Sequence, residues 1–261
     1  MSQHVMEQPP TMRQRADYGL DAPGVVRNLG IVATAGILSA LAWLAGFWSL
    51  RSTLAPVLCA AIGLGTGCLF TALWMVWYSK VGKLRGRARL LGSLAWSGHE
   101  TVLDVGCGRG LLLIEAARRL KTGKAVGVDI WQGQDLSGNR PEATLRNAQI
   151  EGVADRVEVK DGDARNLPFS DGTFDVVVYS AALHNIYDAA ERQKAVREIV
   201  RVLKPGGSVL IRDIQHTAEY AQVLSASGIE AVSREGSPLA PFLACLTMGS
   251  LQPYVVTGKK R

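Results

Sequence analysis

"TVLDVGCGRG", Thr101 to Gly110, sets an apolar run and an acid, Asp104, ahead of three alternating glycines. "LLLIEAARRL", Leu111 to Leu120, follows at once and reads as a helix. A strand, a glycine turn and a helix in that order let the backbone approach a ligand closely at the turn. Two familiar ligands fit poorly. A dinucleotide fingerprint would need a third glycine where Leu111 stands, and a phosphate loop would need a glycine-lysine-serine or -threonine run. A carboxylate at Asp104 is an unwelcome neighbour for a pyrophosphate. It suits the positively charged amino acid portion of a ligand.

The text downstream alternates short β-rich runs with helical ones. "KAVGVDI" from Lys124 precedes "PEATLRNAQIEG" from Pro141; "RVEVKDGDA" from Arg156 and "FDVVVYSA" from Phe174 precede "AERQKAVREIVRVLKPGG" from Ala190. "SVLIRDI" from Ser208 follows, then "TAEYAQVLSASG", "IEAVSREG" and "PYVVTGKK". This alternation predicts a Rossmann-like α/β domain, a mostly parallel sheet with helices on both faces. Ligands of such sheets bind beyond the carboxyl ends of the strands. Asp129 ends the second run, at the spacing where an acid grips ribose hydroxyls. Asp163 is placed at the end of the third, where its carboxylate and the next backbone N–H, that of Ala164, face a base edge. An amino group, a ribose and a base with no phosphate are the parts of S-adenosylmethionine.

"LDVGCGRG", "VGVDI", "GDARNLPFSDGTFDVVV" and "REIVRVLKPGGSVLI" resemble the ordered motifs of class I S-adenosylmethionine-dependent methyltransferases. The nearest likeness is to the branch holding the ubiquinone/menaquinone C-methyltransferases and the type 11 enzymes, and it covers roughly residues 99 to 261. It implies a seven-stranded sheet whose last strand, "PYVVTGKK", is antiparallel. It also implies that Asp104, Gly106, Gly108 and Gly110 line the methionine part. Asp129 would hold the ribose, with Ile130 and Trp131 beside it, Asp163 and Ala164 the adenine, and Ser180 would sit by the cofactor. Two departures stand out. "WQGQDLSGNRPEA", Trp131 to Ala143, is longer than the family's turn, and Trp131 either lies against the adenine or anchors the longer loop. His184 replaces the arginine of the quinone branch's leucine-arginine-asparagine stretch.

On the acceptor side, "VYSAALHNIYD" places His184 just past the fourth strand, and "IRDIQHTAEY" places Asp213 and His216 at the tip of the fifth. These three are the candidate catalytic residues. A histidine near neutral pH takes a proton from a hydroxyl, amine or thiol; the plainer role for His184 is to orient cofactor or cap a helix. Little more is required, because a sulfonium is a strong donor and alignment supplies most of the rate.

The first hundred residues differ in character. "NLGIVATAGILSALAWLAGFWSL", Asn28 to Leu50, carries no charge, and neither does Ser52 to Ser79. Both runs are long enough to cross a bilayer. A hairpin buried in a soluble core is the alternative, for which the rest of the chain is small. Arg51 and Pro56 are expected at the turn, and Trp43, Phe47, Trp48, Trp74, Trp77 and Tyr78 at the headgroup level. "KVGKLRGRAR", Lys80 to Arg89, reads as a basic membrane flank. With Arg13, Arg15 and Arg27 ahead of the first run, the positive-inside rule puts both termini and the catalytic domain in the cytoplasm. A cleaved signal peptide fits poorly. Within the second run, Gly63 and Gly67 form a G-x-x-x-G pair suited to helix packing. The expected organisation is a segment at 1–27, two transmembrane helices over 28–79, a basic linker helix over 80–98 and a methyltransferase domain over 99–261.

The net charge of +6 raises nucleic acid as a partner, but no basic-aromatic groove or base pocket follows the fourth strand. Cys59, Cys68, Cys107 and Cys245 lack zinc-site spacing, so no metal is expected, and the bland reading is buried free thiols. With only Cys107 and Cys245 in the soluble part, arsenite is a poor acceptor. "ADYGLDAPG", Ala16 to Gly24, is a lid or a linker. "SPLAPFLACLTMGSLQ", Ser237 to Gln252, walls an apolar pocket, dips into the membrane surface or is ordinary core. The function expected is a membrane-anchored methyltransferase acting on a small or lipophilic acceptor: a quinone, a lipid headgroup, or a thiol or amine. The alternative is a membrane sensor or assembly subunit that binds the cofactor without turnover.

Overall fold

A computed structural model describes residues 14–45, 51–236, 240 and 253–261. Two long helices come first, α1 (Pro23–Leu44) and α2 (Arg51–Trp77). A π-helical turn, Tyr78–Gly82, carries α2 into α3 (Lys83–Leu91). The α/β domain follows as β1 (Thr101–Val105), α4 (Leu111–Ala117), β2 (Lys124–Asp129), α5 (Pro141–Ile150), β3 (Val157–Asp161) and β4 (Phe174–Ser180). It continues with α6 (Ala189–Val202), β5 (Leu203–Asp213), α7 (Thr217–Ala226), β6 (Ile229–Gly236) and β7 (Tyr254–Lys260).

The sheet has seven strands in the order β3-β2-β1-β4-β5-β7-β6. β1 pairs in parallel with both β2 and β4, so strand order reverses there and the ligand crevice opens at their carboxyl ends. β7 is antiparallel to β5 and β6, as expected for the last strand. Side chains alternate across each strand. Leu103, Val105, Val177, Tyr179, Val209 and Ile211 therefore pack into one core with α6 and α7 residues. Val102, Val176, Val178 and Leu210 pack into another with α4 and Leu91 of α3.

Several expectations for the amino-terminal part need correction. Pro56 lies inside α2 rather than at the turn; so near the helix start, its missing N–H costs one hydrogen bond. The close approach of the two helices uses Gly36 and Gly65, not Gly63 and Gly67. A Cβ on Gly36 would come within 2.6 Å of the Gly65 Cα, whereas Gly63 and Gly67 face open space. Cys59 is exposed and only Cys107 of the described cysteines is buried. Phe47, Trp48, Cys245 and nearly all of Ser237 to Gln252 lie outside the described residues.

The basic flank is the largest surprise. Lys83, Arg87 and Leu91, spaced four apart, form the buried face of α3. Lys83 Nζ pairs with Asp21 Oδ1 at 2.7 Å and Lys80 Nζ with Asp17 Oδ1 at 2.8 Å. Arg87 reaches Glu115 of α4 at 3.1 Å and Glu151, just past α5, at 3.4 Å. These cations answer carboxylates of the same chain, leaving Arg85 and Arg89 exposed.

Their partners lie on a strap, residues 14–22, that folds back over the domain. Tyr18 is 4% exposed and its hydroxyl donates to Glu151 Oε1 at 3.0 Å. Asn147 of α5 reads the Asp17 backbone from both sides, accepting from its N–H at 3.0 Å and donating to its carbonyl at 2.9 Å. Further on, the strap pairs with the long loop after β2. Leu20 and Ser137 exchange a backbone bond of 3.0 Å, and Ala22 N–H donates to Asp135 O at 2.8 Å. The longer loop thus has a partner in the strap.

Candidate functional site

β1 ends beside the glycine turn, where Gly106, Gly108 and Gly110 hold φ values of 69°, 52° and 85°. That left-handed region is costly for residues with a Cβ. The turn is pinned from α5: Thr144 Oγ1 donates to Gly108 O at 2.6 Å and Asn147 Nδ2 to Arg109 O at 2.9 Å. Neither α5 residue stands out in the sequence, since the bonds cross from one helix to another element's loop.

Asp104 is buried, and its Oδ2 accepts the Leu113 N–H at 2.8 Å at the start of α4. Burial pushes its pKa up to about 8, with the charge of Asp129 adding to the rise and the Leu113 N–H opposing it. No cation pairs with this carboxylate among the described residues. Asp129, the last residue of β2, accepts the Gly108 N–H at 2.8 Å on Oδ2. Its Oδ1 accepts the Trp131 N–H at 2.6 Å and Asn139 Nδ2 at 3.1 Å. Asn139 Oδ1 is buried without a partner among the described residues. Trp131, at φ 58°, donates from its indole to Asp161 Oδ1 at 2.6 Å. Its ring therefore spans the tips of β2 and β3, while Ile130 is exposed.

Asp163 is not the strand end. β3 stops at Asp161, and Asp163 sits in a turn with its carboxylate held by the Arg165 side chain at 2.9 Å and by the Arg165 N–H at 2.8 Å. The guanidinium keeps that carboxyl below its ordinary range. Ala164 packs at the edge of the core.

At the tips of β4 and β5 the structure joins two of the three catalytic candidates. His184 Nδ1 and Asp213 Oδ1 are 2.6 Å apart. The His184 N–H reaches Asp213 Oδ2 at 3.2 Å, and the Ile214 N–H reaches Oδ1 at 2.7 Å. Tyr220 of α7 donates to Oδ2 at 3.4 Å. Asp213 has a fully buried side chain and that of His184 is 19% exposed. A carboxylate fed by two backbone N–H groups only accepts, so Nδ1 carries the hydrogen and Nε2 is the acceptor nitrogen of the neutral ring. His216 is not part of this pair: it precedes α7 at φ 56° and lies 3.9 Å from Glu219. Tyr179 lies beneath, its hydroxyl buried and unpartnered among the described residues. On the other sheet face, Ser180 Oγ accepts from Arg212 Nη1 at 3.4 Å.

The geometry defines the class: a doubly wound sheet with its ligand crevice over β1, β2 and β4. Residues 103–211 match the family model described as a methyltransferase domain. The methyltransferase GfsG of Streptomyces halstedii is 38% identical over 118 residues, 45% of this chain and 38% of its own. The ubiquinone/menaquinone biosynthesis C-methyltransferase UbiE of Escherichia fergusonii is 40% identical over 113 residues, 43% of this chain and 41% of its own. The crystal structure of geranyl diphosphate C-methyltransferase from Streptomyces coelicolor A3(2), with S-adenosyl-L-homocysteine among its ligands, shares the fold. Its TM-score is 0.53 at 16% identity, over 76% of this chain and 84% of that one. The matched segment is thus similar to methyltransferase domains, and solved structures that share its fold include ones in complex with S-adenosylmethionine or S-adenosyl-L-homocysteine. The chain spans about two fifths of the length of these curated relatives.

The site's residues fit that cofactor. Among the described residues Asp104 is a buried carboxyl group lacking a cation, Asn139 Oδ1 is an acceptor lacking a donor, and no arginine or lysine pairs with Asp129. Such a set suits an ammonium or sulfonium and a sugar hydroxyl rather than a phosphate.

Proposed function

We propose that the protein transfers the methyl group of S-adenosylmethionine to a small lipophilic acceptor, with the acceptor's proton taken by His184. The observation that carries this reading is the 2.6 Å pair between His184 Nδ1 and Asp213 Oδ1 at the tips of β4 and β5. When bound, the cofactor supplies a methyl on a positively charged sulfur. Everything else falls to the chain. Asp104 and the glycine turn would hold the amino acid part. Asp129 and Asn139 would hold the ribose. Trp131 offers a flat apolar face at the β2–β3 tips for the base, a role Asp163 cannot take while its carboxylate is bound to Arg165. Asp213 fixes the His184 tautomer and steadies the imidazolium once Nε2 accepts a proton.

The acceptor is inferred to be lipophilic because α1 and α2 are membrane spans in this reading. Only 11% of each helix's most apolar window is buried, and Leu38, Leu41, Phe70 and Leu73 are exposed. A hairpin belonging to a soluble core would hide those side chains. The hairpin would anchor the domain at the cytoplasmic face and raise the supply of bilayer-dissolved substrate. A tritiated-methyl assay with membrane extract tests this: label must pass to an extractable lipophilic acceptor. Cofactor binding without any transfer would instead mark a sensor or assembly subunit.

A further inference from the structure

We propose that Arg212 binds an anionic group on the acceptor, a carboxylate, phosphate or phenolate, and so selects acidic over neutral acceptors. The inference rests on the methyltransferase reading above. Arg212 and Asp213 are consecutive at the tip of β5, so they straddle the sheet edge, Asp213 toward His184 and Arg212 toward the opposite face. There Arg212 Nη2 donates to the Tyr78 hydroxyl, its guanidinium stands 5.9 Å from the centre of the Tyr78 ring, and Nη1 reaches Ser180 Oγ at 3.4 Å. Both partners are neutral. Arg212 makes no ion pair among the described residues, and of the residues outside them only Glu7 carries a side-chain carboxylate.

Every other arginine buried or half-buried around this part of the molecule has a different arrangement. Arg87, Arg109, Arg192 and Arg201 each meet a carboxylate of the chain. A guanidinium has five donors and stays charged at all relevant pH values. Arg212 uses two of them on hydroxyls and keeps a charge half out of water without a counter-ion, an arrangement that costs stability unless a ligand supplies one. Its position makes the anion's role specific. Ser180 ends β4, next to the crevice where a cationic cofactor lies, so an unneutralised guanidinium there would oppose binding. An anion between them removes that repulsion. Tyr78, expected at the headgroup level from sequence, instead turns inward from the end of α2. An acceptor arriving along that apolar helix would meet Arg212 first, and its reacting group would have to pass round the tips of β4 and β5 to reach His184 on the other face.

The test uses the full chain in neutral detergent and two soluble probes, 4-phenylbutyrate and the uncharged 4-phenylbutanol, titrated with and without S-adenosylhomocysteine. The carboxylate should bind about 10- to 100-fold more tightly, the scale of a charge-assisted hydrogen bond. Arg212→Gln should erase that preference while leaving S-adenosylhomocysteine affinity within about twofold, and Arg212→Lys, which keeps the charge, should retain part of it. The proposal is overturned if the wild type shows no preference. It is equally overturned if Arg212→Gln weakens S-adenosylhomocysteine about tenfold and spares the preference, which would assign the guanidinium to the cofactor's own carboxylate. Because neither probe is methylated, absence of turnover would count against the enzyme reading and leave this measurement intact.

Discussion

Arg87 Nη1 donates to the Tyr18 hydroxyl at 2.6 Å, tying the strap before the first apolar helix to the helix that follows the second. The same guanidinium stands 5.0 Å from the Tyr18 ring centre and meets Glu115 and Glu151. Both ends of the helical hairpin are thereby fastened to α4 and α5, which hold the glycine turn. The segments that flank the hairpin are therefore packed onto the same helices as the glycine turn.

Arg87→Ala should therefore destabilise the domain by about 1.5–3 kcal/mol, the scale of lost hydrogen bonds to charged groups, because Glu115 and Glu151 lose one buried cation but keep Arg118 and Arg119. Tyr18→Phe, which removes one hydroxyl and keeps the ring, should cost only about 0.5–2 kcal/mol. Thermal melting in detergent checks the ranking. Equal losses would mean that the ring's packing, rather than the ion cluster, fastens the strap.

His184→Ala should lower kcat by about 100-fold or more with little change in cofactor affinity, the range for a positioned base. Asp213→Asn should follow it in direction, since an amide can donate to Nδ1 and upset the tautomer. His216→Ala should change kcat little. If His184→Ala weakened cofactor binding as much as turnover, the residue would be a cofactor ligand.

Asp129→Ala should weaken S-adenosylhomocysteine by about 1–3 kcal/mol, the cost of leaving its buried partners unsatisfied. Asn139→Ala should have a smaller effect of the same sign, and Asp163→Ala almost none. Calorimetry distinguishes the three. A large loss at Asp163 would show that the Arg165 contact opens when the cofactor enters.

Asp104 carries the pH dependence. Its pKa, about 8 in the folded chain against 3.8 for the free side chain, means that the folded state holds a proton that the unfolded chain releases. Its contribution to stability is complete below pH about 4 and is lost as pH rises through 8. A cationic ligand needs the carboxylate, so affinity for S-adenosylmethionine should rise with pH, by up to about tenfold per unit, and level off above 8. Asp104→Asn should flatten that profile; a slope surviving the substitution would move the titration elsewhere.

Gly36→Leu or Gly65→Leu should force α1 and α2 apart, since a Cβ at either position already meets backbone at 2.6 Å. Gly63→Ala and Gly67→Ala should be silent. Cross-linking between the two helices reports the spacing.

Much of the sheet was legible beforehand because strand and helix periods show in local sequence. The alternation after residue 99 and the acids near the tips of β1 and β2 stand where those periods put them, and the antiparallel last strand where the family resemblance put it. Asp163 misled for a local reason: β3 ends two residues earlier, and Arg165, two residues on, captures the carboxylate. Lys80 to Arg89 misled for a distant one. A basic helix face looks the same in sequence whether it meets lipid phosphates or carboxylates, and here Asp17, Asp21, Glu115 and Glu151 are brought to it from three other segments.

The amino acid order alone therefore settled the elements, their alternation and the presence of two apolar helices, because these follow from spacing along a few turns of chain. Only the folded molecule decided which glycines touch, which cations are spoken for, and that His184 meets Asp213 across 29 residues while His216 does not. Those choices depend on where separate elements meet in space. Hydrogen bonds and ion pairs act over a few ångströms, and no pattern along the chain records a distance across it.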